Sequence, residues 1–289
     1  MITIEEIKKR LLDIDPQFVV SRITDFLRYY FSETGAEIAV IGLSGGIDSS
    51  VTLTLVTKAL GKKKVLAVLM PHRDITPEQD MKDAKDLIEL LGVDYVEAPI
   101  ESFVHSIENH LEERGISLSK IARGNILARI RMIILYSIAN SRNGLVVGSS
   151  DKSELLLGYF TKYGDGGVDI LLLGDLYKSQ VRLLGKYLRL PDEIVNKPSS
   201  PRLWEGHTAK EELGADYDII DLILYALVDL KLSPNRILNE SDFPKDLTRN
   251  IIKRVIRNEH KRSFPIIPKI SKGMTIGYDW RYPIIRHDF

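Results

Sequence analysis

The chain has 289 residues, of which 44% are hydrophobic, and this is enough for the core of one large α/β domain. Its 40 basic and 40 acidic residues give a net charge of zero, which argues against a broadly basic surface that binds nucleic acid. No apolar run approaches the roughly 18 residues typical of a membrane span, and residues 1–7 lack a signal-peptide core, so we expect a cytoplasmic protein that binds neither membrane nor nucleic acid. The absence of cysteine excludes disulfides, Cys-ligated zinc, iron–sulfur clusters and a thiol nucleophile that could free ammonia from glutamine.

The first half of the chain alternates predicted helices and buried strands. Residues 4–31 carry apolar side chains at helical spacing on either side of Pro16, which predicts two helices interrupted near this proline. Short apolar runs bounded by turn residues predict buried strands, and they lie at residues 37–43, 65–70, 95–98 and 145–148. The segments between them predict helices at residues 48–60, 77–91 and 119–139.

The second half of the chain breaks this alternation. Residues 157–173 combine glycines with aromatic and charged residues, which predicts a long functional loop rather than a linker. Beyond it we expect helices at residues 179–188, 211–230 and 245–260, a Pro- and Ser-bearing loop at 197–207, and an extended tail from Pro265.

The fold class predicted from this order is α/β. Alternating strands and helices indicate a Rossmann-like parallel sheet with helices on both faces, followed here by a helical C-terminal extension. We expect a single domain over residues 1–289, with N-terminal helices at 1–34, a nucleotide-binding α/β core at 37–190, and C-terminal loops and helices at 191–289.

The sequence SGGIDSS at residues 44–50 joins the first predicted strand to the next helix. Gly45 and Gly46 allow backbone N–H groups to approach a phosphate closely, and the helix start adds free N–H groups and a positive dipole end. Hydroxyl donors are available from Ser44, Ser49 and Ser50. Asp48 requires a cation between itself and a phosphate, so we assign it to Mg²⁺. The alternative is a Gly-rich turn in which Asp48 caps the helix.

This segment matches the pattern SGGxDS followed by Ser or Thr, and it resembles the PP-loop of the ATP pyrophosphatases. The resemblance implies an adenine nucleotide α hydrolase-like fold and cleavage of ATP between its α- and β-phosphates, which yields AMP and pyrophosphate. The chain contains neither GxxxxGK followed by Ser or Thr nor GxGxxG, so a β/γ-cutting P-loop NTPase and a dinucleotide redox fold are both disfavoured.

Later segments resemble one PP-loop family, the NAD synthetases. Residues 148–167 (GSSDKSELLLGYFTKYGDGG) resemble the signature of that family, most closely at SE and FTKYGDGG. Residues 123–132 (RGNILARIRM) resemble its GNxxAR helix, and residues 174–180 (GDLYKSQ) resemble its Lys-bearing loop. Three further landmarks follow in family order: Glu212-Leu213-Gly214, Tyr217 with Ile220-Asp221, and His260-Lys261-Arg262.

The resemblance spans roughly residues 38–268 and implies a set of ligand-binding residues. Those implied for ATP are Gly42, Ser44, Gly45, Gly46, Ile47, Asp48, Ser49, Ser50, Ser149, Lys178 and Ser200. Those implied for deamido-NAD are Asn125, Arg129, Phe160, Lys162, Asp165, His260 and Lys261. Asp48 and Glu154 both follow predicted strands of the sheet, so we expect them to meet at its carboxyl edge and share Mg²⁺.

Three residues are expected to be catalytic: Lys178, Asp48 and Asp165. Lys178 would hold the α-phosphate as negative charge builds in the transition state, and Asp165 would deprotonate ammonium. Structural alternatives stay open for several of these motifs: a solvated Lys178, an ion pair of Glu154 with Lys152, a solvated arginine face at residues 123–131, and a basic helix end at residues 260–262.

Two segments depart from the pattern of the family. Residues 198–202 read PSSPR where Pro-Ser-Ala or Pro-Thr-Ala is expected, and we align Ser200 with the metal- and ATP-contacting hydroxyl of the family. Residues 207–210 read HTAK in place of Gln-Thr-Asp-Glu, which removes an acid and puts the role of that acid in doubt. Asp151 receives no assignment.

The resemblance implies that ATP adenylates the nicotinate carboxylate of deamido-NAD and that ammonia then displaces AMP to give NAD⁺. We expect free ammonia as the donor because the chain has no cysteine and no room for a glutaminase domain before Ile38, while a separate glutaminase partner stays open. The family also implies a homodimer. The rival hypotheses are another PP-loop amidating or tRNA-modifying ligase, and a non-catalytic nucleotide-binding sensor.

Overall fold

The computed structural model of the protein describes residues 3–276. Five parallel strands form a sheet in the order β3-β2-β1-β4-β5. They are β1 (Ile38–Gly42), β2 (Val65–Leu69), β3 (Asp94–Glu97), β4 (Gly144–Gly148) and β5 (Ile170–Leu171). The order changes direction between β1 and β4, because the chain runs outward through β2 and β3 and then returns to the other side of β1.

Helices connect these strands and continue beyond the sheet. Those before β4 are α1 (Ile4–Leu12), α2 (Pro16–Thr34), α3 (Ile47–Leu60), α4 (Glu78–Leu91), α5 (Glu101–Glu112) and α6 (Lys120–Ser141). Those after β4 are α7 (Lys152–Leu157), α8 (Lys178–Tyr187), α9 (Asp192–Val195), α10 (Ala209–Leu213), α11 (Tyr217–Val228), α12 (Pro234–Glu240), α13 (Lys245–Arg257) and α14 (Glu259–Arg262).

Helices cover both faces of the sheet because its central strands are apolar on both sides. Ala39 and Ile41 of β1 belong to a hydrophobic cluster that includes α2, α3 and α8, whereas Val40 belongs to a second cluster that includes α6. This division follows the two-residue period of a strand. All residues of β2 are buried, as expected of a strand between two helical layers. The predicted α/β fold is therefore confirmed.

A third hydrophobic cluster lies beside the sheet and joins the two ends of the described chain. Ile7 and Leu11 of α1 are buried together with Ile220 and Ile223 of α11 and with Ile251 of α13. In contrast, α2 packs mainly on α3. The C-terminal helices therefore form their core with the first helix of the chain.

The structure corrects several boundaries predicted from the sequence. The single helix expected at residues 211–230 is wrong, because Gly214 adopts a φ of 82° and ends α10 before α11 begins. Helix α5 was not predicted, although Val104, Ile107 and Leu111 follow helical spacing.

The predicted loop at residues 157–173 is also partly regular. Residues 170–171 form β5, in which Ile170 pairs with Val147 of β4, and α7 ends where the loop begins. Helix α8 begins at Lys178, one residue earlier than predicted. Within residues 3–276, no helix has the combination of length and apolar character that crossing a membrane requires.

Candidate functional site

A cleft of about 780 Å³ opens at the carboxyl ends of β1 and β4. The strand order reverses between these two strands, and in open parallel sheets such a point is where ligands bind. The cleft volume lies within the range of small-molecule sites. Its walls combine the loop after β1, the segment after β4, one side of α6 and the loop before α10.

Internal hydrogen bonds fix the shape of the loop after β1. Ser44 N–H donates to Ser49 Oγ at 3.2 Å, and Gly46 N–H donates to Ser44 Oγ at 3.3 Å. The N-cap of α3 is Gly46, with no side chain capping it, so the alternative of Asp48 as the cap is excluded. The first turn of α3 therefore presents free N–H groups of the kind that bind phosphates.

Of the residues implied for ATP, several line the cleft and others lie behind it. Gly42, Ser44, Asp48, Ser49, Ser149 and Ser200 line the cleft. Ile47 and Ser50 are buried, and the Ser50 hydroxyl has no hydrogen-bond partner among the described residues. Ser200 Oγ donates to the carbonyl of His207.

The side chain of Lys178 is fully buried beneath the cleft, so a solvated lysine is excluded. Its Nζ lies 2.6 Å from Asp48 Oδ2 and 3.0 Å from Glu154 Oε1. It also forms an ion pair at 3.0 Å with Asp151 Oδ2, without the alignment of a hydrogen bond. We call these four residues the lysine–carboxylate cluster. Glu154 has no ion pair with Lys152, whose ammonium pairs with Asp175 and Asp229 instead.

Local structure fixes the members of this cluster. Asp151 and Glu154 form a capping box at the start of α7, in which Glu154 N–H donates to Asp151 Oδ1 at 2.8 Å. Ser153 Oγ accepts the N–H of Lys178 at 3.0 Å and donates to the buried carboxylate of Asp221 at 2.6 Å. The same carboxylate accepts from Ser179 N–H at 2.8 Å. Asp221 therefore holds the starts of α7 and α8 together.

Asp151 is the residue that the sequence analysis missed. It is fully buried and contacts the Lys178 ammonium, yet it received no role from the sequence. The spacing Asp-x-x-Glu at residues 151–154 is a capping-box pattern and could have placed its carboxylate beside that of Glu154.

Burial and the neighbouring opposite charges shift the pKa values of the lysine–carboxylate cluster in opposite directions. Burial raises the pKa of Glu154 to about 7 even though the nearby ammonium lowers it, and burial raises the pKa of Asp151 well above its usual value. Burial alone would lower the pKa of Lys178, but the three carboxylates outweigh it and hold this pKa well above its usual value. The three carboxylates therefore favour the protonated ammonium of Lys178.

The donor chemistry of the cluster suits a hard divalent cation. Asp48 Oδ1 is buried and has no hydrogen-bond partner among the described residues, although its carboxylate borders the cleft. Carboxylate oxygens are the protein ligands that Mg²⁺ prefers. Within residues 3–276, however, no three acidic or histidine side chains already stand in a metal-binding arrangement. Asp48 and Glu154 thus fit such an ion in chemistry, with Lys178 supplying the positive charge beside them.

The opposite wall of the cleft carries four of the residues implied for deamido-NAD. Asn125 Oδ1 accepts from Thr161 Oγ at 2.8 Å, and Asp165 Oδ1 accepts from Thr161 N–H at 2.8 Å. Lys261 Nζ donates to the carbonyl of Phe160 at 2.7 Å and lies 5.4 Å from the centre of its ring. All of these side chains border the same cleft.

Three other residues implied for deamido-NAD lie outside this cleft. Arg129 donates to the carbonyl of Lys162 at 3.3 Å, and Lys162 donates to the carbonyl of His260 at 2.9 Å. Their binding roles stay predictions. Arg131 borders the cleft instead, and its Nε donates to the carbonyl of Met70 at 3.3 Å. Burial lowers the pKa of Arg131 to about 10.

The basic motif at residues 260–262 ties α14 to the loop after α7. Lys261 Nζ also donates to the carbonyl of Gly158 at 2.7 Å. Arg262 donates to the carbonyls of Leu155 and Leu156 at 2.8 and 2.6 Å. These groups therefore satisfy carbonyls at the end of α7 rather than the end of their own helix.

His207, at one of the positions that depart from the family pattern, is buried. Its ring stacks on Trp204 with the ring centres 3.5 Å apart. Its Nε2 lies 2.9 Å from Glu212 Oε2, and Arg254 donates to the other oxygen of this carboxylate at 3.1 Å. His207 therefore places an aromatic ring beside the Glu212–Arg254 ion pair at the border of the cleft.

Comparisons with known proteins agree on one family. The family model described as NAD synthase matches residues 19–265. A relative from Hyperthermus butylicus, named NH(3)-dependent NAD(+) synthetase, is 47% identical over 272 residues, covering 94% of this chain and 96% of the relative.

Two solved structures have the same fold. An NMN synthetase from Francisella tularensis superposes with a TM-score of 0.78 at 33% identity, covering 89% of this chain and 100% of that chain. An NH3-dependent NAD synthetase from Campylobacter jejuni, solved with nitrate, superposes with a TM-score of 0.74 at 32% identity and with the same coverages.

We predict that His207 makes stability depend on pH. Burial lowers the pKa of His207, although the nearby carboxylate of Glu212 acts in the opposite direction. The buried Nδ1 of His207 has no hydrogen-bond partner among the described residues, so a proton on this atom would be unpaired. Because the folded pKa lies below the unfolded one, this contribution to stability is complete above the unfolded pKa of about 6.5 and is lost as the pH falls.

The urea midpoint of the wild-type chain should therefore fall more steeply from about pH 7 to pH 5 than that of His207→Gln. His110→Gln, at an exposed position on α5, should keep the wild-type slope. Equal slopes for the wild type and His207→Gln would contradict the prediction.

Proposed function

The chain belongs to the NAD synthase family, and from this premise we propose that it makes NAD⁺ from deamido-NAD, ATP and free ammonia. The observation that carries the proposal is the meeting of a phosphate-binding loop with the lysine–carboxylate cluster at the switch point of a parallel sheet. A phosphate loop alone would fit many nucleotide-binding proteins. A buried ammonium beside carboxylates that can hold a metal ion indicates a reaction in which charge develops on phosphate.

The first step is attack of the nicotinate carboxylate of deamido-NAD on the α-phosphorus of ATP. The free N–H groups at the start of α3 would bind phosphate oxygens, and the hydroxyls of Ser44 and Ser49 border the same space. Pyrophosphate leaves, and the acyl adenylate remains in the cleft. Ammonia then attacks the carbonyl carbon and displaces AMP, so no covalent intermediate with the protein is required.

Charge balance supports a role for Mg²⁺ in this cleft. The lysine–carboxylate cluster has three carboxylates and one ammonium, so full ionisation would leave two excess negative charges, and this excess adds to burial in raising the pKa of Glu154 and Asp151. One divalent cation, held by Asp48 and Glu154, would balance this excess and would supply positive charge to the phosphates of ATP. Lys178 would then be freer to donate to the α-phosphate, because fewer of its three N–H groups would be committed to carboxylates.

The opposite wall is proposed to bind deamido-NAD. Phe160 offers a flat surface to the pyridine ring, while Asn125 and Lys261 can bind its polar groups. Asp165 borders the same space and is our proposed acceptor of a proton from ammonium. Arg129, Lys162 and His260 would contact substrate from the neighbouring surface. We propose a cytoplasmic location, where ATP is plentiful, and a separate source of ammonia.

One assay tests the proposed function. With ATP, Mg²⁺, ammonium and deamido-NAD, the protein should form NAD⁺, AMP and pyrophosphate in equal amounts, measured by chromatography and phosphate-specific detection. Nicotinate mononucleotide serves as the comparison substrate, because a structural relative is described as an NMN synthetase. Formation of ADP instead of AMP would contradict the proposed attack on the α-phosphorus of ATP. Faster amination of nicotinate mononucleotide than of deamido-NAD would contradict the proposed substrate.

Glu154→Gln should lower kcat on the order of 100-fold, because it removes a charge from the proposed metal site. Glu193→Gln, at an exposed position on α9, should leave kcat unchanged.

Lys178→Ala should lower the rate more than it weakens deamido-NAD binding, since its contact is proposed for the transition state. Robust turnover by Glu154→Gln, or equal losses of rate and binding in Lys178→Ala, would contradict these roles.

Exposed apolar side chains on α5 and α6 support the proposal of a homodimer. Phe103, Ile107, Ile121 and Ile133 are exposed, and helices α5 and α6 contact each other. Light scattering should give twice the chain mass of 32.8 kDa. Phe103→Ser combined with Ile107→Ser should shift the protein toward monomer, whereas Phe18→Ser, on the exposed side of α2, should not. A monomer at micromolar concentration would contradict the proposal.

A further inference from the structure

The side chain of Lys197 reaches from the loop after α9 into the space between α4 and the phosphate loop. Its Nζ lies 2.8 Å from the carbonyl oxygen of Gly45 and 2.9 Å from Asp80 Oδ1. The third acceptor is Asp83 Oδ2 at 2.5 Å. An ammonium has three N–H donors, so every donor of Lys197 is used by this arrangement. One of these acceptors belongs to the backbone of the phosphate loop.

The two carboxylates are otherwise satisfied within α4 and its neighbours. Asp80 Oδ2 accepts from Arg202 Nε at 2.8 Å, and Asp83 Oδ1 accepts from Gln79 Nε2 at 2.6 Å. Asp80 and Asp83 are only 4% and 7% exposed. Two cations therefore balance two buried carboxylates, which leaves the group neutral. Burying charged side chains has a large desolvation cost, so these ion pairs are weak evidence for added stability. Their place beside the phosphate loop suggests that they position this loop instead.

The packing of Gly45 against α4 explains why the contact between Lys197 and the Gly45 carbonyl affects the phosphate loop. Gly45 has a φ of 75°, and a Cβ there would lie 2.1 Å from the carbonyl oxygen of Asp80, so the loop is pressed against α4. The peptide bond between Gly45 and Gly46 is trans, as no cis bond occurs in the described residues. In a trans peptide the C=O and N–H point in opposite directions. Lys197, by holding the C=O of Gly45, therefore sets the direction of the Gly46 N–H.

That N–H holds a side chain of the cleft wall. Gly46 N–H reaches Ser44 Oγ at 3.3 Å, and Ser44 borders the cleft. If the peptide turned over, the Gly45 carbonyl oxygen would face Ser44 Oγ, and the Ser44 hydroxyl would donate to this oxygen instead of to a phosphate. A lysine outside the loop thus determines whether this peptide presents a donor or an acceptor to Ser44 Oγ at the cleft.

We propose that Lys197 is a positioning residue for the ATP phosphates, which acts by fixing the orientation of the Gly45–Gly46 peptide. The proposal rests on the proposed function only in taking ATP as the ligand of this loop. Lys197 itself does not border the cleft, so its effect is exerted through the backbone. It should therefore matter for ATP far more than for deamido-NAD, which we place on the opposite wall.

The test separates this role from simple stabilisation by using three variants. Lys197→Met removes the contact with Gly45 but also leaves a buried carboxylate without its cation, so it should lose both thermal stability and ATP affinity. Asp83→Asn combined with Lys197→Met restores charge balance while still lacking the contact with Gly45. Asp83→Asn alone keeps the lysine and that contact. Lys210→Met, which breaks an exposed ion pair with Asp216, is the matched control.

The expected result is a split between stability and ATP affinity. The double variant should melt closer to the wild type than Lys197→Met does, yet bind Mg·ATP roughly 10-fold or more weakly by calorimetry, as for loss of one charge-assisted hydrogen bond. Asp83→Asn and Lys210→Met should keep ATP affinity within about 3-fold of the wild type. The KM for deamido-NAD should stay within the same limit in the double variant, while the KM for ATP rises.

A double variant that folds and binds Mg·ATP like the wild type overturns the proposal. Equal loss of ATP affinity in Asp83→Asn also overturns it, because the ion pairs rather than the Gly45 contact would then be responsible. Calorimetry with Mg·ATP alone needs no turnover. A wild-type protein that binds ATP but makes no NAD⁺ therefore contradicts the proposed function while the effect of Lys197 can still be measured.

Discussion

The buried ammonium of Lys178 is the interaction on which the arrangement of the site depends. It lies within 3.0 Å of carboxylates from the first turn of α3 and from the capping box of α7, and it begins α8 itself. Three segments that are far apart in sequence thus meet at one charge. Removal of Lys178 would leave three clustered carboxylates without their cation, which is far more destabilising than the loss of an exposed ion pair. The geometry of the cleft floor is therefore tied to the folding of the domain.

Much of this site could be predicted because its parts follow strands. Asp48 and Glu154 come after β1 and β4, and parallel strands bring their carboxyl ends to one edge of a sheet. The burial of Lys178 could not be predicted in this way, since a lysine in a loop motif gives no sign of which carboxylates it meets. Asp151 was missed although its capping-box spacing was visible. Its burial depends on α8 and α11, which pack on α7 from later in the chain.

The accuracy with which each helix or strand could be predicted depends on the strength of its own apolar pattern. The long helix α6 and the strands β1 and β2 have strong apolar patterns, and their predicted positions agree with the structure within two residues. The break at Gly214 was missed although the glycine that ends α10 and Asp216, the N-cap of α11, form a local stop and start signal. Strand β5 has only two residues, and its identity as a strand comes from pairing with β4 rather than from its own sequence.

The packing of α1 with the C-terminal helices has a consequence for how the protein is made. Ile7 and Leu11 are synthesised before their partners Ile220 and Ile223, which follow more than two hundred residues later. At roughly 5–20 residues per second, the apolar face of α1 waits on the order of 10–40 seconds for its cluster to form. During that interval the sheet and its covering helices can assemble from contiguous sequence, whereas the first helix must stay exposed or be shielded by a chaperone. Helix α1 is thus synthesised before the sheet but reaches its final place after it.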